Sequence, residues 1–306
     1  NDGKGHFKDV SNKVFGADNK LGMVTSAHWA DLDGNGFDDL VVSGNWMGIR
    51  IFRNTGGKFS PDNRLADYKG WWSSMAVDDI NGDGHPDILA GNLGLNSKFR
   101  ASDKQPMTIY INDFDQNGTK ECITSMYRQD QEYVFHMRPD LVGQLPMFKK
   151  RYLRYEDYAG KPFREVFPAE LTRNAETHQI NYLASAVFLS DGKGGFRAKP
   201  FPAASQLSAV HTILCDDLDG DGRKEIILGG NFYGFKPEVG RLDASYGEVY
   251  GFSGQEFRYI PAAKSGLKLT GQVRSSAVIT NSRGERYFLF GRNNERLLAY
   301  QFNSKK

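Results

Sequence analysis

The chain has 306 residues, 39% of them hydrophobic, 25% charged and 13% aromatic, with 34 glycines. That mix packs a core and excludes both a disordered chain and a small disulfide scaffold. Lys and Arg number 39 against 37 Asp and Glu, a net charge of +2 too balanced to make nucleic acid or an anionic membrane the main partner.

No apolar run approaches the roughly 20 residues that span a bilayer, so no membrane insertion is expected. Cys122 and Cys215 stand in no CxxC or Cys/His cluster, so neither zinc nor redox chemistry is expected, and both are expected free and buried. The opening residues lack a signal peptide's basic start and apolar core, and read as a turn and a short strand, GHFKDV at 5–10. A chain that begins in mid-unit is expected to be part of something longer.

Along the chain one segment recurs four times: DLDGNGFDDL from Asp31, DINGDGHPDI from Asp79, DFDQNGTKEC from Asp113 and DLDGDGRKEI from Asp217. Each follows a short β-type run (VTSAHWA, SSMAV, MTIYIN, AVHTILC) and precedes another. Three copies then reach a Gly-Asn turn at Asn45, Asn92 and Asn231. Residues 31 and 79 lie 48 apart and 79 and 217 lie 138 apart, which is one and three periods of the size of a propeller blade. About twenty strands in fours predict an all-β fold: a β-propeller of four-stranded blades, about five of them, with six or seven open. Residues 1–306 are expected to form one propeller domain.

Between the third and fourth loops the β pattern breaks. From Arg138 to about Thr177, Leu141, Leu145, Phe148 and Tyr152 fall at helical spacing and Pro168 suits a first helical turn, so 138–177 is expected to be a helical insertion. Near the C-terminus SSAVITNSRGERYFLFGRNNERLLAYQF keeps three strands, with Thr280 and Ser282 where acids would stand, and is expected to be metal-free. Residues 5–10 are expected to pair with the strand near 296–302 and close the ring, leaving no open edge.

Numbered from its first Asp, each acidic loop carries oxygen side chains at positions 1, 3, 5 and 9 and glycine at position 6 (Gly36, Gly84, Gly118, Gly222). Ca²⁺ takes six to eight oxygens, and alternate residues of a tight loop point inward together only where glycine permits the turn. The expected ligands are Asp31, Asp33, Asn35 and Asp39; Asp79, Asn81, Asp83 and Asp87; Asp113, Asp115, Asn117 and Glu121; and Asp217, Asp219, Asp221 and Glu225. The position-7 carbonyls of Phe37, His85, Thr119 and Arg223 would add to each shell. About four structural Ca²⁺ ions are expected, held most tightly at the four-acid loop of Asp217. An EF-hand is excluded, because its position-12 Glu is replaced by Val42, Ala90, Thr124 or Leu228.

These loops, each between two strands and followed by a Gly-rich run, resemble the FG-GAP/VCBS repeats of integrin α-subunit propellers. The runs GWWSSMAVDDINGDGHPDILAGNLGLNSKFRAS, DDLDGDGRKEIILGGNFYG and GRLDASYGEVY are more narrowly similar to the C-terminal propeller of large Bacteroidota-type VCBS-repeat proteins related to cartilage acidic protein. The resemblance covers nearly the whole chain. It implies a secreted or surface-exposed, outer-membrane-associated calcium propeller. The acid-free last unit and the absence of an ASPIC-like segment depart from the pattern.

No catalytic constellation is visible among the six scattered histidines, and the expectation is a non-enzyme. The strongest acid-base candidates are Arg138 and Asp140 beside His136, where ordinary salt bridging competes. The expected function is protein binding in a surface or secreted assembly. Function is placed on the face bearing the insertion: Phe148, Tyr152 and Tyr155 with Lys149, Lys150 and Arg151 would contact the partner, and Trp71 and Trp72 would line the adjacent mouth. A carbohydrate-binding module of a glycan-uptake system is the alternative, carried by Trp46, Trp71, Trp72, Tyr233 and Phe235, and a polysaccharide-degrading enzyme is a third.

Overall fold

A computed structural model describes residues 3–16 and 20–301. Helix α1 (Ser11–Phe15) leads into β1 (Met23–Ala30), β2 (Asp39–Gly48), β3 (Arg50–Asn54) and β4 (Phe59–Asp62), and β5 (Lys69–Trp71) precedes β6 (Ser74–Asp78) and β7 (Asp87–Gly91). Next come β8 (Met107–Asn112), β9 (Glu121–Arg128) and β10 (Gln131–Val134). Helices α2 (Arg138–Gln144), α3 (Phe148–Arg151), α4 (Tyr155–Tyr158), α5 (Phe163–Val166) and α6 (Ala169–Thr172) lead to β11 (Glu176–Ile180). The chain continues with β12 (Ala186–Ser190), β13 (Phe196–Pro200), β14 (Val210–Asp216), β15 (Glu225–Gly230), β16 (Glu248–Ser253) and β17 (Glu256–Ile260). It closes with α7 (Ala262–Ser265), β18 (Val273–Thr280), β19 (Arg286–Arg292) and β20 (Leu298–Gln301).

The chain divides into two compact units: residues 1–67, 71–96 and 184–306 form the first, and residues 68–70 and 97–183 the second. The first unit is all-β and holds four antiparallel sheets, ordered β1-β2-β3-β4, β13-β12-β7-β6, β14-β15-β16-β17 and β18-β19-β20. The first strands of these sheets touch in succession, β1 on β6, β6 on β14 and β14 on β18. Strands β7, β12 and β15 are buried along their whole length, as their continuous apolar runs require, because both faces meet neighbouring layers. One core joins Leu89, Val187 and Phe201 with Val210, Ile226 and Tyr250, and another joins Ile227, Val249 and Leu269 with Phe288 and Phe290. Each is made of the residues that alternate toward a neighbouring sheet.

One expected element is absent. Residues 5–10 form no strand and pair with nothing in β20, whose only partner among the described residues is β19. The segment is exposed, and Asp9 Oδ1 accepts the Ser11 N–H at 2.9 Å in a local turn just ahead of α1. Phe15 of that helix packs on Phe52 and Phe59 of the first sheet, with ring centroids 5.2 and 5.5 Å away. Residue 302, at the end of the expected pairing, lies outside the described residues.

The second unit carries the sheet β10-β9-β8-β11 and the helical segment, which is five short helices ending at Thr172. Expected to run to 177, the helical segment gives way at Glu176 to β11, the sheet's fourth strand, and Pro168 caps α6 rather than joining its first turn. Leu141, Leu145, Phe148 and Tyr152 fall on two separate short helices and the residue that ends each rather than on one helix, yet all four join one core, closed by Tyr158, Phe163, Val166 and Phe167 against Tyr110, Phe114 and Ile123.

Candidate metal centres

Each acidic loop links two antiparallel strands: β1 to β2, β6 to β7, β8 to β9 and β14 to β15. In all four the position-1 carboxylate turns back onto the loop's own backbone. Its Oδ2 accepts the N–H of the position-6 glycine, at 2.8 Å for Asp31, Asp79 and Asp113 and 3.0 Å for Asp217. The glycines hold φ between +84° and +89°, a region where a side chain costs about 1 kcal/mol or more. Position 4 is left-handed too, at Gly34, Gly82, Gln116 and Gly220. The sequence carried this signal as a second glycine in three loops, unread beside the position-6 glycine. The position-9 carboxylate accepts the N–H of position 2: Asp39 from Leu32, Asp87 from Ile80, Glu121 from Phe114 and Glu225 from Leu218. It sits buried at the base of the loop while positions 3 and 5 stand above.

The loops differ in what converges. Oxygens of Asp113, Asp115 and Glu121 lie within 4.8 Å of one another, and so do those of Asp217, Asp219 and Glu225. Among the described residues the loops at Asp31 and Asp79 gather no such trio. In the first, Asp39 is fully buried and already neutralised: Arg53 Nη1 donates to its Oδ2 at 2.8 Å and the Asn54 N–H to its Oδ1 at 2.7 Å. In the second, Asp87 Oδ1 accepts the Ser190 N–H at 2.8 Å, and burial pushes its pKa up to about 7, with Asp83 and Asp79 adding to the rise. Asp33, Asn35, Asn81 and Asp83 lie on exposed or half-exposed loop positions, and the carbonyl-bearing Phe37, Thr119 and Arg223 are exposed.

The two convergent trios fit a cation by their own chemistry. Asp115 Oδ1 is buried with no hydrogen-bond partner, a costly arrangement that a cation would relieve. The Glu225 carboxyl is raised by burial, and Asp219, Asp221 and Asp217 raise it further, as expected of acids gathered without a counter-charge. At the third loop Asn117 Oδ1 is turned to the Thr119 N–H, and at the fourth Asp221 Oδ1 to that of Arg223. In the last sheet the place of the first acid falls to Asn281 rather than Thr280, which ends β18, and Asn281 Oδ1 accepts the N–H of Arg283 and Glu285.

Several other expected site residues fall elsewhere. Phe148 and Tyr152 are buried in the core of the second unit, and Trp72 is wholly buried against Phe188 at 6.0 Å, so none offers a partner a surface. Large apolar side chains on the inner face of short helices contribute more to the core than they could outside it. Lys149, Lys150, Arg151 and Tyr155 are exposed and Trp71 is half-buried. Arg138 donates to the carbonyls of Tyr152 and Leu153, and His136 Nε2 accepts the Thr124 N–H, so both hold backbone in place. Both cysteines are free, but neither is fully buried: Cys122 is exposed on an outward position of β9 and Cys215 is half-buried against the core.

Comparison with known proteins places part of this pattern. Residues 31–90 match the FG-GAP-like repeat. The matched FG-GAP-like segment takes in the first two acidic loops and the strands that follow each. No curated protein matches the chain in sequence. Among solved structures, the crystal structure of the V. cholerae biofilm matrix protein Bap1 is similar at a TM-score of 0.30 and 8% sequence identity, over 91% of this chain and 63% of that one. The match therefore spans less than two thirds of that protein's chain.

Proposed function

We propose that this chain is a calcium-stabilised β-propeller that binds a partner in a secreted or cell-surface assembly and turns over no substrate. The buried, unpartnered Asp115 Oδ1 beside Asp113 and Glu121 carries the reading, with the Asp217, Asp219 and Glu225 trio repeating it. A hard, oxygen-seeking cation would neutralise these acids and tie two strand ends together, with the carbonyls of Thr119 and Arg223 at hand. Four sheets in which successive first strands touch, each built from an acidic-loop repeat or its relic, support the propeller. The FG-GAP-like match and the resemblance to VCBS-repeat propellers support calcium and an extracellular location.

For a protein partner the second unit offers the exposed Lys149, Lys150, Arg151 and Tyr155. Carbohydrate is a second reading, favoured by half-buried aromatic rings in contact from Trp46 through Trp71 to Phe235.

Melting the protein in excess calcium and in EGTA tests the metal. A cation that binds only the folded state stabilises it by about 2.7 kcal/mol at one hundred times its Kd, so the midpoint should rise by several degrees with calcium. An unmoved midpoint, with no metal by elemental analysis, would refute the calcium reading.

A further inference from the structure

Three of the first strands carry an irregularity at the same place. The pairing register slips by one residue at Thr25 in β1, His211 in β14 and Arg274 in β18, each beside the glycine-bearing end of the next strand. In β6 the matching residue is Ser73, just ahead of the strand, whose N–H reaches Gly91. A bulge of this kind re-aims one side chain. In the first two sheets that side chain is a small hydroxyl tying one sheet to the next: Thr25 Oγ1 donates to the Trp72 carbonyl and Ser73 Oγ to that of Val210, both at 2.7 Å. His211 and Arg274 hold the equivalent positions and make no such tie. His211 Nε2 is buried with no partner, and the Arg274 guanidinium donates to Gln272 Oε1 at 2.7 Å and pairs with no carboxylate among the described residues.

Aromatic rings surround these two residues. Arg274 lies 5.2 Å over the Phe232 ring, and the His211 and Phe232 centroids are 6.1 Å apart. Phe232 contacts Phe235 at 4.7 Å, Phe235 contacts Trp71 at 6.4 Å and Trp71 contacts Trp46 at 5.4 Å. Trp46 follows the first Gly-Asn turn with φ at +59°, a conformation that a bulky residue holds only when its surroundings enforce it. Nearby, Arg241 stacks on Tyr233 at 3.8 Å, again with no acid partner among the described residues.

Packing alone accounts for stacked rings, but it leaves a half-buried guanidinium without its counter-charge and a tryptophan in a strained turn. We propose that Arg274, His211 and the Trp46–Trp71–Phe235–Phe232 row form a binding site for an acidic pyranose, a sugar unit of the hexuronate type. The carboxylate pairs with the free edge of Arg274, which Gln272 holds in place, and the apolar faces of this and the neighbouring sugar units lie along the aromatic row. Burial and the charge of Arg274 hold the His211 pKa down to about 3. Its imidazole is therefore neutral and suits a sugar hydroxyl rather than a second ionic contact. Aromatic faces interleaved with directional polar groups favour a saccharide over an acidic peptide. The proposal rests on the carbohydrate reading above and is independent of calcium.

The test titrates the whole chain, by intrinsic tryptophan fluorescence and calorimetry, with a hexasaccharide alternating glucuronate and N-acetylglucosamine. Controls are its carboxyl-reduced neutral form and a hexaglutamate peptide. The acidic sugar should bind at least about tenfold more tightly than the neutral form, and Arg274→Gln should remove that preference with an unchanged melting point. Equal binding of the two sugars, binding of neither, or peptide binding that matches the acidic sugar would each overturn the proposal. The native-protein comparison decides even if the variant misfolds. Repeating the titration in EGTA separates the two readings, since acidic-sugar binding that survives there stands whatever becomes of calcium.

Discussion

Glu248 shows how one buried residue sets a pH dependence. It lies at the start of β16, where Ser245 Oγ donates to its Oε2 at 3.1 Å, and burial pushes its pKa from 4.5 up to about 7. Between those values the folded chain holds a proton that the unfolded chain has released, so this residue's share of stability falls as pH rises through the window. The share is roughly 3 kcal/mol. Glu248→Gln should therefore match the parent near pH 4 and exceed it by up to about 3 kcal/mol at pH 8. Urea melts in EGTA at the two pH values check this, and the difference between parent and variant cancels the similar titration of Asp87. Parallel loss of stability in both proteins would show that Glu248 does not titrate in that window.

At the scale of the element, the Gly-Asn turn works as a clasp between strands. Asn231, buried with φ at +82°, donates from Nδ2 to the Ser245 and Gly271 carbonyls and accepts at Oδ1 from Ser208 Oγ and the Ser245 N–H. Asn92 does similar work, its Oδ1 accepting the N–H of Trp71 and Leu93. Asn231→Ala should cost about 3 kcal/mol or more, since it orphans buried groups and leaves a β-carbon in the left-handed region without the side-chain bonds that hold Asn there. Asn231→Gly should cost less by about 1 kcal/mol, because only the lost bonds remain. Equal losses in the two variants' denaturation curves would remove the backbone from the account. These turns, and the four acidic loops, were legible in the sequence because spacing and glycine act over a few residues. The difference between loops was not, because Arg53 and Ser190, which occupy Asp39 and Asp87, come from strands whose approach the loop does not encode. Helical spacing likewise marked Leu141, Leu145, Phe148 and Tyr152 as belonging together, but not that the helix breaks between Leu145 and Phe148 or that all four turn inward. GHFKDV alternates like a strand, yet it is exposed and leads into the Asp9 to Ser11 turn. The bulges at Thr25, His211 and Arg274 left no mark in composition, only a shared position.

At the scale of the whole molecule, the two convergent acid trios fall in different compact units, that of Asp113 in the second and that of Asp217 in the first. Cation binding should then protect each unit separately. Asp115→Asn should lower calcium-dependent hydrogen-exchange protection in residues 97–183, and Asp219→Asn in the first unit, including 184–301. An even loss across the chain from either variant would contradict independent sites. The first sheet stands apart from both. Its guanidinium, anchored by Asp39 and Asp62 together, is a counter-ion written into the gene and delivered with the chain. On the proposed reading the two convergent trios would borrow theirs from the surroundings, so a fall in the free cation would reach them while the first sheet keeps its charge balance. The protein would then carry one region whose integrity is inherited and others whose integrity reports on the medium.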